Sequence, residues 1–309
     1  SWDTAQQALQ NGKDLYARRT DGSLIEWRGY PQHYQMAVWD SDYRWYWMDS
    51  VVKELRDSPF DGVMGDNDIE SDYYGLNLPI RNVDSMATVR AGLDHLIEYA
   101  GAELNKAGKI LVPNIAEARL RWGKWEAHSA YGGGFEEVWL GWGAQEFLDS
   151  TYAMLQSRHI GRGAQGQVRL AYDEGLQRAD RTAPKVTILR TPSGPKAPVT
   201  GTDENLLYGL AGFWIFGGGQ FTGIAATEHD SYNGTPFSPE MSYDLGTPAE
   251  AVKSDGAVHA RAFTHGWAAI NLGTTSRMVR VPSGLKDAAG NTPPSTLTLQ
   301  AHRGVLYRK

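Results

Sequence analysis

The sequence predicts an α/β fold, a (β/α)8 TIM-type barrel followed by a small antiparallel β-sandwich domain. Three observations predict it. Short apolar runs ending in polar residues alternate with segments whose apolar residues recur at helical spacing, the pattern of a parallel sheet covered by helices. From about residue 255 the helical pattern stops, and short strands follow one another with turn residues between them. No glycine-rich dinucleotide fingerprint follows any strand, which ranks an open doubly wound sheet behind the barrel. The expected boundaries are residues 1–250 for the barrel and 251–309 for the all-β domain.

The elements follow in order. Residues 1–30 read as a helix, a turn at Asp21-Gly22 and an extended piece over 24–27, and 34–38 is a candidate strand ending in Trp39-Asp40. Trp47, Met48, Val51, Val52 and Leu55 recur at helical spacing and lead into a strand over 60–65. Val89, Leu93, Leu96, Ile97, Ala100 and Leu104 line one face of the next helix, stopped by Gly108, the residue type favoured just past a helix end. A buried strand over 109–113 exits at Asn114, with Glu117 close behind. The design recurs over 131–139, where glycines and Phe135 precede Glu136 and Glu137. A helix over 147–155 and a strand over 168–172 ending in Asp173 come next. A strand over 186–189, a helix over 206–214 capped by Asp203, and a strand over 220–225 followed by Glu228-His229-Asp230 complete the alternation. Only five or six barrel strands are legible, and the chain opens at Ser1, without Met, already in helical register. An N-terminal segment or an additional chain is therefore expected to complete the barrel, since an open one exposes edges and core.

Bulk properties narrow the function. A net charge of -6 with no Lys/Arg cluster argues against a nucleic-acid partner. With Cys 0, disulfides, thiolate-ligated zinc and a cysteine nucleophile are all excluded. The most apolar window, 206–216, is too short to span a bilayer, so no membrane partner is expected. Trp 11 and Tyr 15 against Phe 8 favour flat amphipathic platforms for sugar rings, although large aromatics also serve simply as packing. Serine-hydrolase elbows and phosphate cradles are absent.

The chemistry points to paired carboxylates. Glycosidic cleavage needs one group to protonate the leaving oxygen and another to attack or activate water. Asp66, Asn114 and Glu137 end consecutive strands, and in a barrel such ends converge on one rim. Asp66 and Glu137 are the candidate catalytic pair. Asp68 rivals Asp66, because a shift of two keeps the same face of an extended segment; Glu136 and Glu137 point oppositely, so only one enters the site. Each carboxylate also has a structural reading as a helix cap or loop anchor. Trp39, Asp40, Asn67, Asp68, Tyr73, Asn114, Glu136, Trp139, Trp142, Asp173 and Glu228 are candidate substrate-binding residues. His229 lacks a second histidine at ligand spacing, so neither a metal nor any other cofactor is expected.

The run Tyr43-Arg44 through Trp47 and the segment Phe60-Asp61-Gly62-Val63-Met64-Gly65-Asp66-Asn67 resemble the signature of the hypothetical glycoside hydrolase-like family 15. That group is more distantly similar to endo-α-1,4-polygalactosaminidases and the α-amylase superfamily. Gly133 to Glu137 resembles its second motif, and the closing Gly304-Val305-Leu306 resembles the β domain that follows such barrels. The resemblance implies a TIM-barrel glycosidase with a carbohydrate substrate, Asp66 as nucleophile or base and Glu137 as acid. It also implies a secreted protein, extracellular or periplasmic. The alternative is a non-catalytic carbohydrate-binding or structural protein derived from such a barrel.

Overall fold

The apolar runs form parallel strands gathered in small sheets. The computed structural model describes residues 2–142, 146–162, 186–192, 204–217, 222–227 and 237–309. Strand β1 (Gly62–Gly65) pairs in parallel with β2 (Ile110–Pro113), in register from Gly62↔Ile110 to Gly65↔Pro113. Just ahead of β3 (Gly133–Glu136), Gly132 makes a parallel bridge to Leu111. β3 adjoins β4 (Val186–Pro192), which pairs in parallel with β5 (Thr222–Thr227). Among the described residues these strands make a two-stranded and a three-stranded sheet, a mixed α/β arrangement of small sheets. The strand expected over 168–172 and the cap at Asp203 lie outside the described residues.

The chain forms two compact units, 1–117 with 128–133 and 118–127 with 134–309. In the first, helix α1 (Trp2–Gln10) precedes an arch held by single antiparallel bridges, Tyr16↔Met36, Arg18↔Leu24 and Glu26↔Tyr34. Helix α2 (Ser41–Arg56) starts at Asp40, whose carboxylate accepts the Asp42 N–H at 2.7 Å. Helix α3 (Met86–Lys106) divides its apolar face between two cores. Val89, Leu93 and Leu96 pack with Ile25, Leu76 and Val83, whereas Ile97, Ala100 and Leu104 pack with Met48, Leu55 and Leu111. Gly108, at φ 70°, takes the left-handed conformation that lets the chain leave α3 and enter β2.

In the second unit, the short helix α4 (Lys124–His128) contributes all but its last residue, and helix α5 covers 150–162. Helix α6 (Glu204–Phe216) is covered by the C-terminal sheet. That sheet has the antiparallel order β11-β8-β7-β6, from β6 (Lys253–Asp255), β7 (Val258–Ala262), β8 (Gly266–Asn271) and β11 (Arg303–Arg308). A separate pair, β9 (Arg277–Arg280) with β10 (Thr296–Leu299), shares one apolar core with it, Trp267 and Ala269 meeting Val279 and Leu299. Every residue of β8 is buried, because that core covers one face and α6 approaches the other. On the α6 side Arg261 Nη1–H donates to Ile215 O at 3.0 Å, and Arg303 pairs with Glu204 at 2.8 Å. Among the described residues no helix is long and apolar enough to cross a membrane.

Gly304 is the close-approach point of this packing: a Cβ there would lie 2.6 Å from both Ala211 Cβ and Leu207 O. Gly304→Val is expected to destabilise the protein by about 1–3 kcal/mol through forced separation of β11 from α6. A lowered midpoint in thermal unfolding would show it, and an unchanged midpoint would contradict the packing described.

Candidate functional site

Asp66 follows β1 directly and is exposed. The register that ends at Gly65↔Pro113 brings Asn114 beside it, with Asn114 N–H donating to Gly65 O at 2.7 Å. Asn114 Nδ2–H then donates to Asp66 Oδ1 at 2.9 Å, and the same oxygen accepts the Asn67 N–H at 2.9 Å. One carboxylate oxygen is thus fixed from two sides, while Oδ2 has no hydrogen-bond partner among the described residues. Asn67 sits at φ 62°, a conformation Asn tolerates, and its Oδ1 accepts the Tyr74 O–H at 2.5 Å.

The loop after β1 is braced from three directions. Asp68 N–H donates to Asn114 O at 3.2 Å. The Glu117 carboxylate accepts the Glu70 N–H at 2.8 Å, the Ser71 N–H at 3.0 Å and the Ser71 O–H at 2.5 Å. His128, buried at the end of α4, has Nδ1 2.6 Å from Asp68 Oδ2 and Nε2 2.7 Å from Asp94 Oδ1 on α3. Each ring nitrogen of His128 thus faces a carboxylate oxygen, so the ring ties the loop after β1 to α3. Asp68 is therefore corrected from a substrate contact to a buried anchor. The left-handed turn at Asn67 breaks the alternation that would have kept Asp68 on the face of Asp66.

In the second unit Glu136 and Glu137 diverge as adjacent residues of an extended segment do. Glu136 is wholly buried, and its Oε1 accepts the Val138 N–H at 2.9 Å. Burial pushes its carboxyl up to about 7, opposed by that hydrogen bond and by Arg119, Gln156 and Lys124. Gln156 also fastens the following segment, Nε2–H donating to Val138 O at 2.7 Å and Oε1 accepting the Leu140 N–H at 2.9 Å. Glu137 keeps a quarter of its side chain exposed, and its Oε1 lies 3.6 Å from Nη2 of the buried Arg190. Arg190 Nε–H donates to Glu137 O at 3.0 Å, and Trp139 N–H donates to Arg190 O at 2.9 Å. Glu136 therefore offers no surface to a ligand.

The remaining candidates divide. Trp139 is core, 1% exposed with Nε1–H donating to Gly209 O at 2.8 Å, which corrects its reading as a platform. Trp39 is half-buried and packs on the core beneath α3, and Asp40 is committed to capping α2. Trp142 is half-buried, whereas Tyr73 is exposed. Asp173, Glu228 and His229 lie outside the described residues. Among the described residues no group of three or more His, Asp or Glu side chains is arranged to hold a metal ion. Sequence reasoning missed His128, Asp94 and Arg190. Arg190 is signalled only as a charge on an apolar strand, whereas His128 and Asp94 lie on helices with other charged residues, where spacing does not single them out.

The model of the hypothetical glycosyl hydrolase family 15 matches residues 1–267. The chain belongs to this family. Membership implies a carbohydrate substrate. A comparison with curated proteins finds no match. Among solved structures, the noncanonic maltogenic alpha-amylase AmyB from Thermotoga neapolitana is similar at a TM-score of 0.44 and 12% identity, over 98% of this chain and 72% of that one.

Two outcomes follow from the buried charges of this glycosyl hydrolase family member. His128→Ala removes the ring that Asp68 and Asp94 share and is expected to cost about 1–3 kcal/mol, read as a lower denaturation midpoint in urea. For Glu136 the folded value of about 7 lies above the usual 4.5, so the fold binds this proton more tightly than the unfolded chain does. Its contribution to stability is complete below the unfolded value and is lost as pH rises through the folded one. Glu136→Gln is accordingly expected to raise the thermal midpoint at about pH 8 and to change it little at about pH 4. An equal shift at both would show that burial does not set this carboxyl's titration.

Proposed function

We propose that the protein is a glycoside hydrolase in which Asp66 acts as nucleophile or base and Glu137 as acid. The observation that carries this reading is the state of Asp66 within a glycosyl hydrolase family chain: an exposed carboxylate just past a parallel strand, one oxygen fixed by Asn114 and Asn67 and the other free. A nucleophile or base needs such fixed orientation together with an open lone pair. Glu137 is supported by its exposure beside buried Glu136, and by Arg190, which restrains it through both backbone and side chain. Asn67, Tyr73 and Trp142 stand as substrate contacts in this proposal, joined by Asp173 and Glu228, whereas the buried Asn114 is corrected from a substrate contact to the residue that orients Asp66.

The proposal includes a (β/α)8-type catalytic domain over residues 1–250 and an accessory β-sandwich over 251–309. It also places the enzyme outside the cytoplasm, where polymeric glycans are met. Incubation with a panel of α- and β-linked glycans, followed by product analysis, identifies the substrate. On it, Asp66→Asn and Glu137→Gln are each expected to lower kcat by about 10²–10⁴-fold. Full activity in both variants would overturn the assignment, and glycan binding without products from the wild type would favour a carbohydrate-binding role.

A further inference from the structure

Five aromatic rings gather beside the loop that follows Asp66, and of these the proposed function uses only Tyr73. Trp27 lies flat against Tyr74, with centroids 4.1 Å apart and planes within 6°, and His33 stacks on Trp27 at 6.0 Å and 25°. Tyr30 meets Trp27, His33 and Tyr74 edge-on, and Tyr73 meets Tyr74 edge-on at 4.9 Å. The array is pinned by its polar ends. Trp27 Nε1–H donates to Gln35 Oε1 at 3.0 Å, Tyr74 O–H to Asn67 Oδ1 at 2.5 Å, and Arg28 N–H to Tyr74 O at 2.9 Å. Tyr30 and Tyr73 project from it, 41% and 50% exposed. A cavity of about 470 Å³ is lined jointly by Trp27, Tyr74, Asn67 and Asp66.

We propose that Tyr30 and Tyr73 form a stacking platform for a neutral pyranose, a ring of the same glycan beyond the one attacked at Asp66. This rests on the hydrolase reading for the identity of the ligand. Trp27 and Tyr74 already cover each other's faces and act as the support, whereas the two exposed tyrosines offer apolar faces backed by a rigid stack. Continuity with the candidate site is short in sequence and in space: the Tyr74 hydroxyl holds Asn67, the residue whose N–H holds Asp66. Charge selects the ring. Glu26, Asp66 and Asp72 outnumber Arg19 and Arg28 around the array, and the two arginines are turned to backbone carbonyls or to Gly75, so a uronate meets net like charge whereas a neutral sugar finds acceptors for its hydroxyls.

Calorimetric titration of the full chain with α- and β-linked neutral hexasaccharides, and with a hexauronate, tests the platform without requiring turnover. At least one neutral hexasaccharide is expected to bind. The double variant Tyr30→Ala with Tyr73→Ala is expected to weaken that binding by about tenfold. Tyr30→Phe with Tyr73→Phe, which keeps the rings, is expected to retain most of the affinity, and a thermal midpoint recorded for each variant separates binding from folding. Unchanged affinity in the alanine variant, equal affinity for the hexauronate, or no neutral hexasaccharide bound by the wild type would overturn the proposal. Product analysis of the same mixtures distinguishes the two readings: affinity lost with the rings but no cleavage by the wild type supports the platform and removes the hydrolase assignment.

Discussion

The hydrogen bond from Asn114 to Asp66 is the contact on which the candidate site depends. It exists because two strands of 4 residues run parallel and in register, so that the residues following each arrive side by side. A slip of one residue would set Pro113 or Ile115 against Asp66, and neither side chain has a hydrogen to give. An amide is the right partner for a carboxylate here, because it donates without adding the counter-charge of a lysine or arginine. The remaining braces of the loop follow from the same junction. Asn114 also accepts from Asp68 N–H, and Glu117, three residues on, gathers the donors of Glu70 and Ser71.

The two units handle buried charge in opposite ways. In the first, Asp68 is paired with the buried His128 ring, which a second carboxylate, Asp94, holds from its other side. In the second, Glu136 has cations in its surroundings, yet desolvation outweighs them and pushes the carboxyl up to about 7. Both arrangements fix backbone close to a presented carboxylate: Asp68 stands two residues from Asp66, and Glu136 is adjacent to Glu137. Rigid surroundings are what an exposed carboxylate requires if its orientation is to be set before a ligand arrives.

Much of this was legible in the sequence, for reasons that can be named. The helices over 41–56 and 86–106 declared themselves through apolar spacing, and Gly108 marked the end of the second through its need for positive φ. The opposition of Glu136 and Glu137 followed from the two-residue period of a strand, and the C-terminal strands from their turns. Trp139 misled because an indole near an acidic pair reads equally as platform or core, and only its contact with Gly209 O on a helix 70 residues away decides. The N-terminal arch left little signal, since it is held by single bridges with no alternating run. His128 was invisible because its partners, 34 and 60 residues distant, meet it only through the tertiary fold.

Asp68 shows most clearly where period arguments end. Treated as extended, the run Asp66-Asn67-Asp68 puts two carboxylates on one face at close range, where each would oppose the ionisation of the other. The left-handed turn at Asn67 redirects the second carboxylate to the interior, onto His128, and leaves the first exposed. Asparagine suits that position twice over, because it accepts positive φ readily and because its side-chain oxygen accepts a bond from Tyr74. An aspartate at 67 would tolerate the turn but would add a charge beside the one being presented. The motif therefore encodes a single open carboxylate, with its neighbours committed to keeping it open.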